Sequence, residues 1–216
     1  MKQLTCRDWR VAVGLTVAVL GVRAASAAPA APAAPAATTV EVRGGTAAFD
    51  AATNISAIGI HGKSAALAGH ATVRDGRGGF TIQQLEAIVP VKTLNTGMGM
   101  RDEHMRKRVF TTADGKLPDL HFTSRTSTCS GSDKQKTCVV KGDLAMRGTA
   151  KPFTITLKVT RESASYRAIG DGIVKLSTYG IPAPSQLGVT VVDDVKLHLD
   201  FVARTTVGTL AQRGGK

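Results

Sequence analysis

Over long tracts of this chain, apolar residues fall on every second position. The plainest tract is Phe153-Thr-Ile155-Thr-Leu157-Lys-Val159-Thr, in which each apolar side chain is followed by Thr or Lys. A period of two sends successive side chains to opposite faces, so the tract reads as a strand with one face buried. Val195, Leu197, Leu199, Phe201 and Ala203 alternate in the same way with Lys196, His198 and Asp200. Val140, Leu144 and Met146 alternate with Lys141, Asp143 and Arg147. Leu120, Phe122, Ser124 and Thr126 share a face opposite His121, Thr123 and Arg125. Phe80 and Ile82 open a strand that continues to about residue 91, and its phase changes near Leu85, which predicts a bulge or a sharp coil. Residues 54–63 and 65–73 read as two weaker strands rich in Ala and Gly. Turn signals separate the runs: Asp75-Gly-Arg-Gly-Gly79, Gly131-Ser-Asp133, Arg147-Gly148 and Gly170-Asp-Gly172.

The pattern amounts to about eight strands joined mostly by short turns. An all-β, antiparallel set of this size must hide its sheet edges, and closure into an up-and-down barrel does so. A two-sheet sandwich satisfies the alternation equally well. A barrel of about eight strands encloses either packed side chains or one elongated ligand. Between residues 93 and 112 the period of two is lost. There Asp102 and Glu103 precede Arg106, Lys107 and Arg108, an order that complements a helix dipole, and Met100 and Met105 supply an apolar side. This predicts a short helix near residues 101–109.

The N-terminus does not belong to the fold on this reading. Lys2, Arg7 and Arg10 precede a 12-residue apolar run, VAVGLTVAVLGV, and Ala25-Ser26-Ala27 then supplies small residues for cleavage. That is the layout of a secretory signal peptide over residues 1–27, and the run is too short to span a bilayer. Residues 28–40 form an Ala/Pro-rich linker. The domain is expected over residues 41–207, with a flexible tail at 208–216. With no second long apolar run, the mature protein is expected to be soluble and periplasmic.

Charge narrows the partners. The whole chain carries +12, and losing four basic residues and one acidic residue with the signal peptide makes it +9. Such a surface favours anionic partners, including an anionic membrane surface. Nucleic acid is excluded by export and by an aromatic content of only 4%, which leaves few stacking platforms. Of the three cysteines, Cys6 leaves with the signal peptide. Cys129 and Cys138 flank the turn-rich SGSDKQKT and read as a disulfide across a hairpin, since no ligand spacing suggests a metal.

The order of several motifs adds to this. Thr96-Gly97, Arg101-Asp102-Glu103-His104-Met105, Phe110 and Leu117-Pro118-Asp119-Leu120-His121-Phe122-Thr123-Ser124 together resemble the signature of the YceI family. Gly142-Asp143-Leu144 with Arg147-Gly148-Thr149-Ala150-Lys151-Pro152-Phe153, and later Leu176-Ser177-Thr178-Tyr179-Gly180-Ile181, resemble its following segments. The likeness covers roughly residues 47–207. It implies an eight-stranded, lipocalin-like antiparallel barrel around a long apolar cavity. It also implies binding of a polyisoprenoid or other long-chain amphiphile, export, often to the periplasm, and often a homodimer.

The chemistry expected is binding. The apolar phases nominate Phe80, Ile82, Phe122, Leu144, Met146, Phe153, Ile155, Leu157, Leu197, Leu199 and Phe201 as cavity lining. Met98, Met100, Arg101, His104, Met105 and Arg106 are nominated as entrance and headgroup residues, with the Arg fork suited to phosphate oxygens. Asp102 is expected to orient Arg101 or cap backbone amides. No cofactor or metal is expected apart from a bound isoprenoid lipid. No G-x-S-x-G, H-E-x-x-H or phosphate loop is present, and the five histidines, His61, His70, His104, His121 and His198, are scattered, so no catalytic residue is nominated. The alternatives are a basic module for anionic envelope surfaces with a packed interior, and an esterase-like enzyme assembled from distant residues.

Overall fold

A computed structural model describes residues 37–206. The signal peptide, most of the linker and the C-terminal tail expected from the sequence lie outside these residues. Strands β1 (Ala37–Thr53), β2 (Gly59–Ser64), β3 (Ala68–Gly76) and β4 (Gly79–Val89) are followed by helix α1 (Gly99–Met105). Then come β5 (Leu120–Gly131), β6 (Gln135–Met146), β7 (Thr149–Arg161), β8 (Ser165–Lys175), β9 (Ser185–Gln186) and β10 (Val189–Thr205). Each strand is antiparallel to its neighbours, and β1 pairs with β10 to close the ring. The result is a barrel of eight staves rather than a sandwich. β2 and β3 act as one interrupted stave, both paired to β1, and β9 is a short hairpin arm on β10.

Several boundaries differ from the sequence reading. The linker ends early, because Ala37–Thr53 is a single long strand. Its pattern is obscured by a register shift between Val42 and Gly45. Residues 54–58 form the turn before β2 rather than part of a strand. Gly170-Asp-Gly172 is no turn but the middle of β8. A Cβ on Gly170 would stand 2.6 Å from the Leu157 side chain, and one on Gly172 would stand 2.7 Å from the Phe153 ring. These glycines make room for large neighbours that would otherwise collide with the wall. The phase change near Leu85 is a bulge: Thr72 pairs with Gln84 and Val73 with Ile82, leaving Gln83 out of register.

The two ends of the barrel differ in construction. One end carries the tight β3–β4, β5–β6 and β7–β8 turns, and is plugged. Phe80 is fully buried there, with its ring edge-on to Tyr166 at 5.1 Å between centroids. Arg161 lies 5.8 Å from the Phe80 ring and bonds both carboxylate oxygens of Asp75. Lys136, only 5% exposed, points inward; its ammonium donates to the Gly78 carbonyl and lies 5.9 Å from the same ring. That contact also helps close a seam. β4 and β5 share a ladder only from Glu86 to Val89, and beyond it the Leu85 amide donates to Ser124 Oγ and the Ser127 hydroxyl to the Ile82 carbonyl.

Cys129 and Cys138 face each other across β5 and β6 and are joined as a disulfide, with Cys138 fully buried. The closed loop is short, so the chain-entropy contribution is roughly 2–3 kcal/mol. The Cys129→Ser/Cys138→Ser double variant is expected to lose about that much in urea denaturation while keeping its strand content by circular dichroism.

Candidate functional site: the barrel cavity and its mouth

Above the plug the barrel is hollow. A cavity of about 860 Å³ occupies the interior and opens at the end opposite Phe80. Its volume lies toward the upper end of the range for small-molecule sites. Phe122, Leu144, Met146, Phe153, Ile155, Leu157, Leu197, Leu199 and Phe201 line it, together with Ala47, Phe49, Ala51 and Val195. Phe122 and Phe153 meet edge-to-face at 5.9 Å across its wall. Phe80 and Ile82 are not in the lining. They share the inward phase but lie too near the closed end, where side chains already fill the bore.

Three segments frame the opening: α1, the β1–β2 turn and the β9–β10 hairpin. Asn54 ties the turn to the hairpin. Its amide side chain donates to the Gly188 carbonyl at 3.1 Å and its Oδ1 accepts from the Thr190 amide at 2.8 Å. His104 ties the helix to the hairpin by donating from Nδ1 to Gln186 Oε1 at 2.6 Å. Met98, Met100, Arg101, His104 and Met105 all border the cavity, and so does Arg108, which the sequence reading did not nominate. Arg106 does not border it. Its guanidinium donates to the Leu94 carbonyl and anchors the helix instead. Pro182, Pro184, Leu187 and Val191 on the far side of the mouth were also not anticipated. Their only sequence signal was a Pro-x-Pro turn too short to show any period.

The helix is held down from within. Asp102 is 4% exposed, and its Oδ1 accepts from the Thr96 amide at 2.8 Å and the Thr96 hydroxyl at 2.6 Å. It therefore caps a backbone amide rather than pairing with Arg101. Burial pushes its carboxyl up, but the Thr96 hydrogen bonds and the charges of Arg106 and Arg101 outweigh this and hold its pKa below the ordinary value. A depressed folded-state pKa stabilises the fold above the unfolded carboxyl value of about 4, and that contribution disappears as pH falls through the folded value. The stability gap between the wild type and Asp102→Asn is therefore expected to be wide at neutral pH and to narrow below about pH 4. Urea midpoints across that window measure it. After Arg106 the helix widens into a π-helical turn, Arg106–Phe110, which brings Phe110 inward and buries it. The predicted helix over 101–109 is thus an α-helical segment that starts earlier and a π turn that ends it.

The mouth is also where large apolar side chains are exposed. Among the described residues these are Ile55, Ile58, Met98, Met100, Leu187 and Val192 around the opening, and Ile88 and Ile173 on the wall close to it. Among the described residues the plugged half has none.

The histidines are dispersed. His61 pairs with Asp50, His198 with Asp171, and His70 and His121 both approach Glu86; of these, His70 and Glu86 also border the cavity. Tyr179, in the turn Leu176–Tyr179, is buried, and burial followed by the charge of Asp143 pushes its pKa up to about 12.

A family model, the YceI-like domain, matches residues 33–203. The chain belongs to the YceI family. Curated relatives include a UPF0312 protein of Vibrio vulnificus, 28% identical over 127 residues covering 56% of this chain and 64% of that protein. Another is a UPF0312 protein of Pseudomonas savastanoi, 27% identical over 142 residues, 60% of this chain and 72% of that protein. The alignment thus spans slightly less than two thirds of the Vibrio relative. Among solved structures, Burkholderia cenocepacia BcnA superposes with a TM-score of 0.56 at 16% identity, covering 72% of this chain and 95% of BcnA. A polyisoprenoid-binding domain from Saccharophagus degradans, implicated in plant cell wall breakdown, gives 0.54 at 14% identity over 80% of this chain and 99% of that domain. At these identities the two solved structures share the fold with this chain.

Proposed function

We propose that this YceI protein is an exported, periplasmic carrier that holds a polyisoprenoid or another long-chain amphiphile inside its barrel. The observation that carries the reading is the cavity of about 860 Å³, walled by aliphatic and aromatic side chains and open at one end. A hydrocarbon chain exposed to water costs about 25 cal/mol per Å² of apolar surface, and a bore of this lining removes that cost. Polar groups near the opening, Arg101, His104 and Arg108, would leave a headgroup at the surface while the tail lies within. The polyisoprenoid-binding domain of Saccharophagus degradans shares this architecture and supports the choice of ligand class. The alternative of a barrel solidly filled by its own side chains does not fit a hollow interior.

Native mass spectrometry of the protein purified from its own envelope tests the proposal. The expected result is a mass excess that organic extraction removes and that an added long-chain isoprenoid quinone restores. A protein that carries nothing and takes up nothing contradicts it.

A further inference from the structure

The mouth exposes more hydrocarbon than a ligand inside the barrel can cover. Leu187 is 96% exposed and Met100 73%, and neither belongs to the packed core. Leu187 also occupies an unusual backbone position. Leu187 and Gly188 are the two central residues of the β9–β10 hairpin, with φ of 50° and 80°. Positive φ at both positions is the mirror-image turn that favours Asn-Gly, and a branched apolar residue is disfavoured at the first. A leucine there gains no packing in return, because no side chain among the described residues covers it. Basic side chains stand beside these residues. Arg101 and Arg108 border the same opening, Lys107 and Arg108 are exposed, and none of the three lies within ion-pair distance of a carboxylate among the described residues. Glu103 is the one exposed acidic side chain on the same helix.

We propose that this rim is a docking surface for an anionic lipid bilayer, with Ile58, Met100 and Leu187 entering the headgroup boundary and Arg101, Lys107 and Arg108 meeting lipid phosphates. Apolar side chains ringed by cations are the composition that binds weakly and reversibly to such a surface. The arrangement turns the opening of the cavity toward the membrane, so a long-chain ligand would pass between bilayer and barrel without crossing water. The role in ligand transfer rests on the carrier reading, whereas the docking itself does not.

Co-sedimentation with vesicles of phosphatidylcholine, with and without phosphatidylglycerol, tests the docking. The wild type, Leu187→Asn/Met100→Ser and Lys107→Glu/Arg108→Glu are compared in the same full chain, so only the rim differs between arms. The wild type is expected to bind the anionic vesicles at low salt and to release them at high salt. Each double variant is expected to bind about tenfold more weakly. Leu187→Asn suits the turn, so thermal melting should show that variant fully folded. Native mass spectrometry with an isoprenoid quinone added in detergent reads the cavity separately. Lys107→Glu alone, whose side chain is exposed and outside the cavity lining, is expected to bind anionic vesicles more weakly while taking up quinone as the wild type does, and that pair of results supports docking. Equal binding of wild type and variants, or equal binding to neutral vesicles, overturns it. So does a wild type that instead self-associates through Leu187 by ultracentrifugation. Loss of quinone uptake with vesicle binding intact counts against the carrier reading alone.

Discussion

Phe80→Ala is expected to destabilise the barrel by about 3–5 kcal/mol, the usual cost of truncating a fully buried aromatic in a close-packed interior. A single-domain protein has about 5–15 kcal/mol in total, so the loss takes a large share of it. Phe80 is fully buried and stacked edge-on against Tyr166, and both Arg161 and Lys136 sit over its ring. Its removal leaves a void and strips the Lys136 ammonium of one of its inward contacts. Urea denaturation gives the number, and a loss under about 1 kcal/mol would contradict the account of a filled floor. Phe80 lies outside the cavity lining, so uptake of a long-chain ligand under strongly native conditions should survive the substitution.

Ala47→Trp should do the opposite, sparing the fold and removing the binding. Ala47 sits on β1 between Leu199 and Ser64, with its side chain at the cavity wall. An indole at this position would project into empty space rather than into packed neighbours, so the overpacking penalty of about 1–3 kcal/mol should be largely avoided. The ring would displace on the order of 150 Å² of ligand contact. At about 25 cal/mol per Å² that amounts to about 4 kcal/mol, or hundreds-fold in affinity. Titration with a fluorescent long-chain amphiphile measures the loss. An affinity within threefold of wild type, about 0.6 kcal/mol, would show that the tail does not lie in the bore.

These two residues also mark how far the sequence could be read. Phe80 and Phe122 have the same alternation and the same inward face, so the pattern nominates both. What separates them is height along the barrel axis. Phe80 follows the β3–β4 turn at the plugged end, while Phe122 begins its strand at the open end. Alternation reports a face and carries no information on depth. Ala47 went unnoticed for a different reason: β1 is rich in Ala, is broken by a register shift at Gly44-Gly45, and shows no clean period of two. The glycines of β8 misled in the other direction. Gly170 and Gly172 look like a turn until the Leu157 and Phe153 side chains that lie over them are seen.

At the mouth, charge order was enough to find a helix near residues 101–109. It could not show that Asp102 turns inward to Thr96, or that Arg106 holds Leu94 while Arg108 borders the opening. Asp102 turns inward within the α-helical segment, and only the later residues are rotated by the π turn over Arg106–Phe110. Leu187 was invisible because a lone leucine beside a glycine carries no periodicity. Only its backbone conformation and exposure distinguish it.

Methyl NMR of the protein during titration with a long-chain isoprenoid is the most direct test of the central claim that a hydrocarbon tail lies inside the barrel. Contacts from the ligand chain to the methyl groups of Ile155, Leu157 and Leu199, with the buried Val140 beside the floor unaffected, are the predicted result. Contacts confined to methyl groups on the outer wall, such as Ile169 and Val139, with the interior methyls unmoved at saturation, would contradict it.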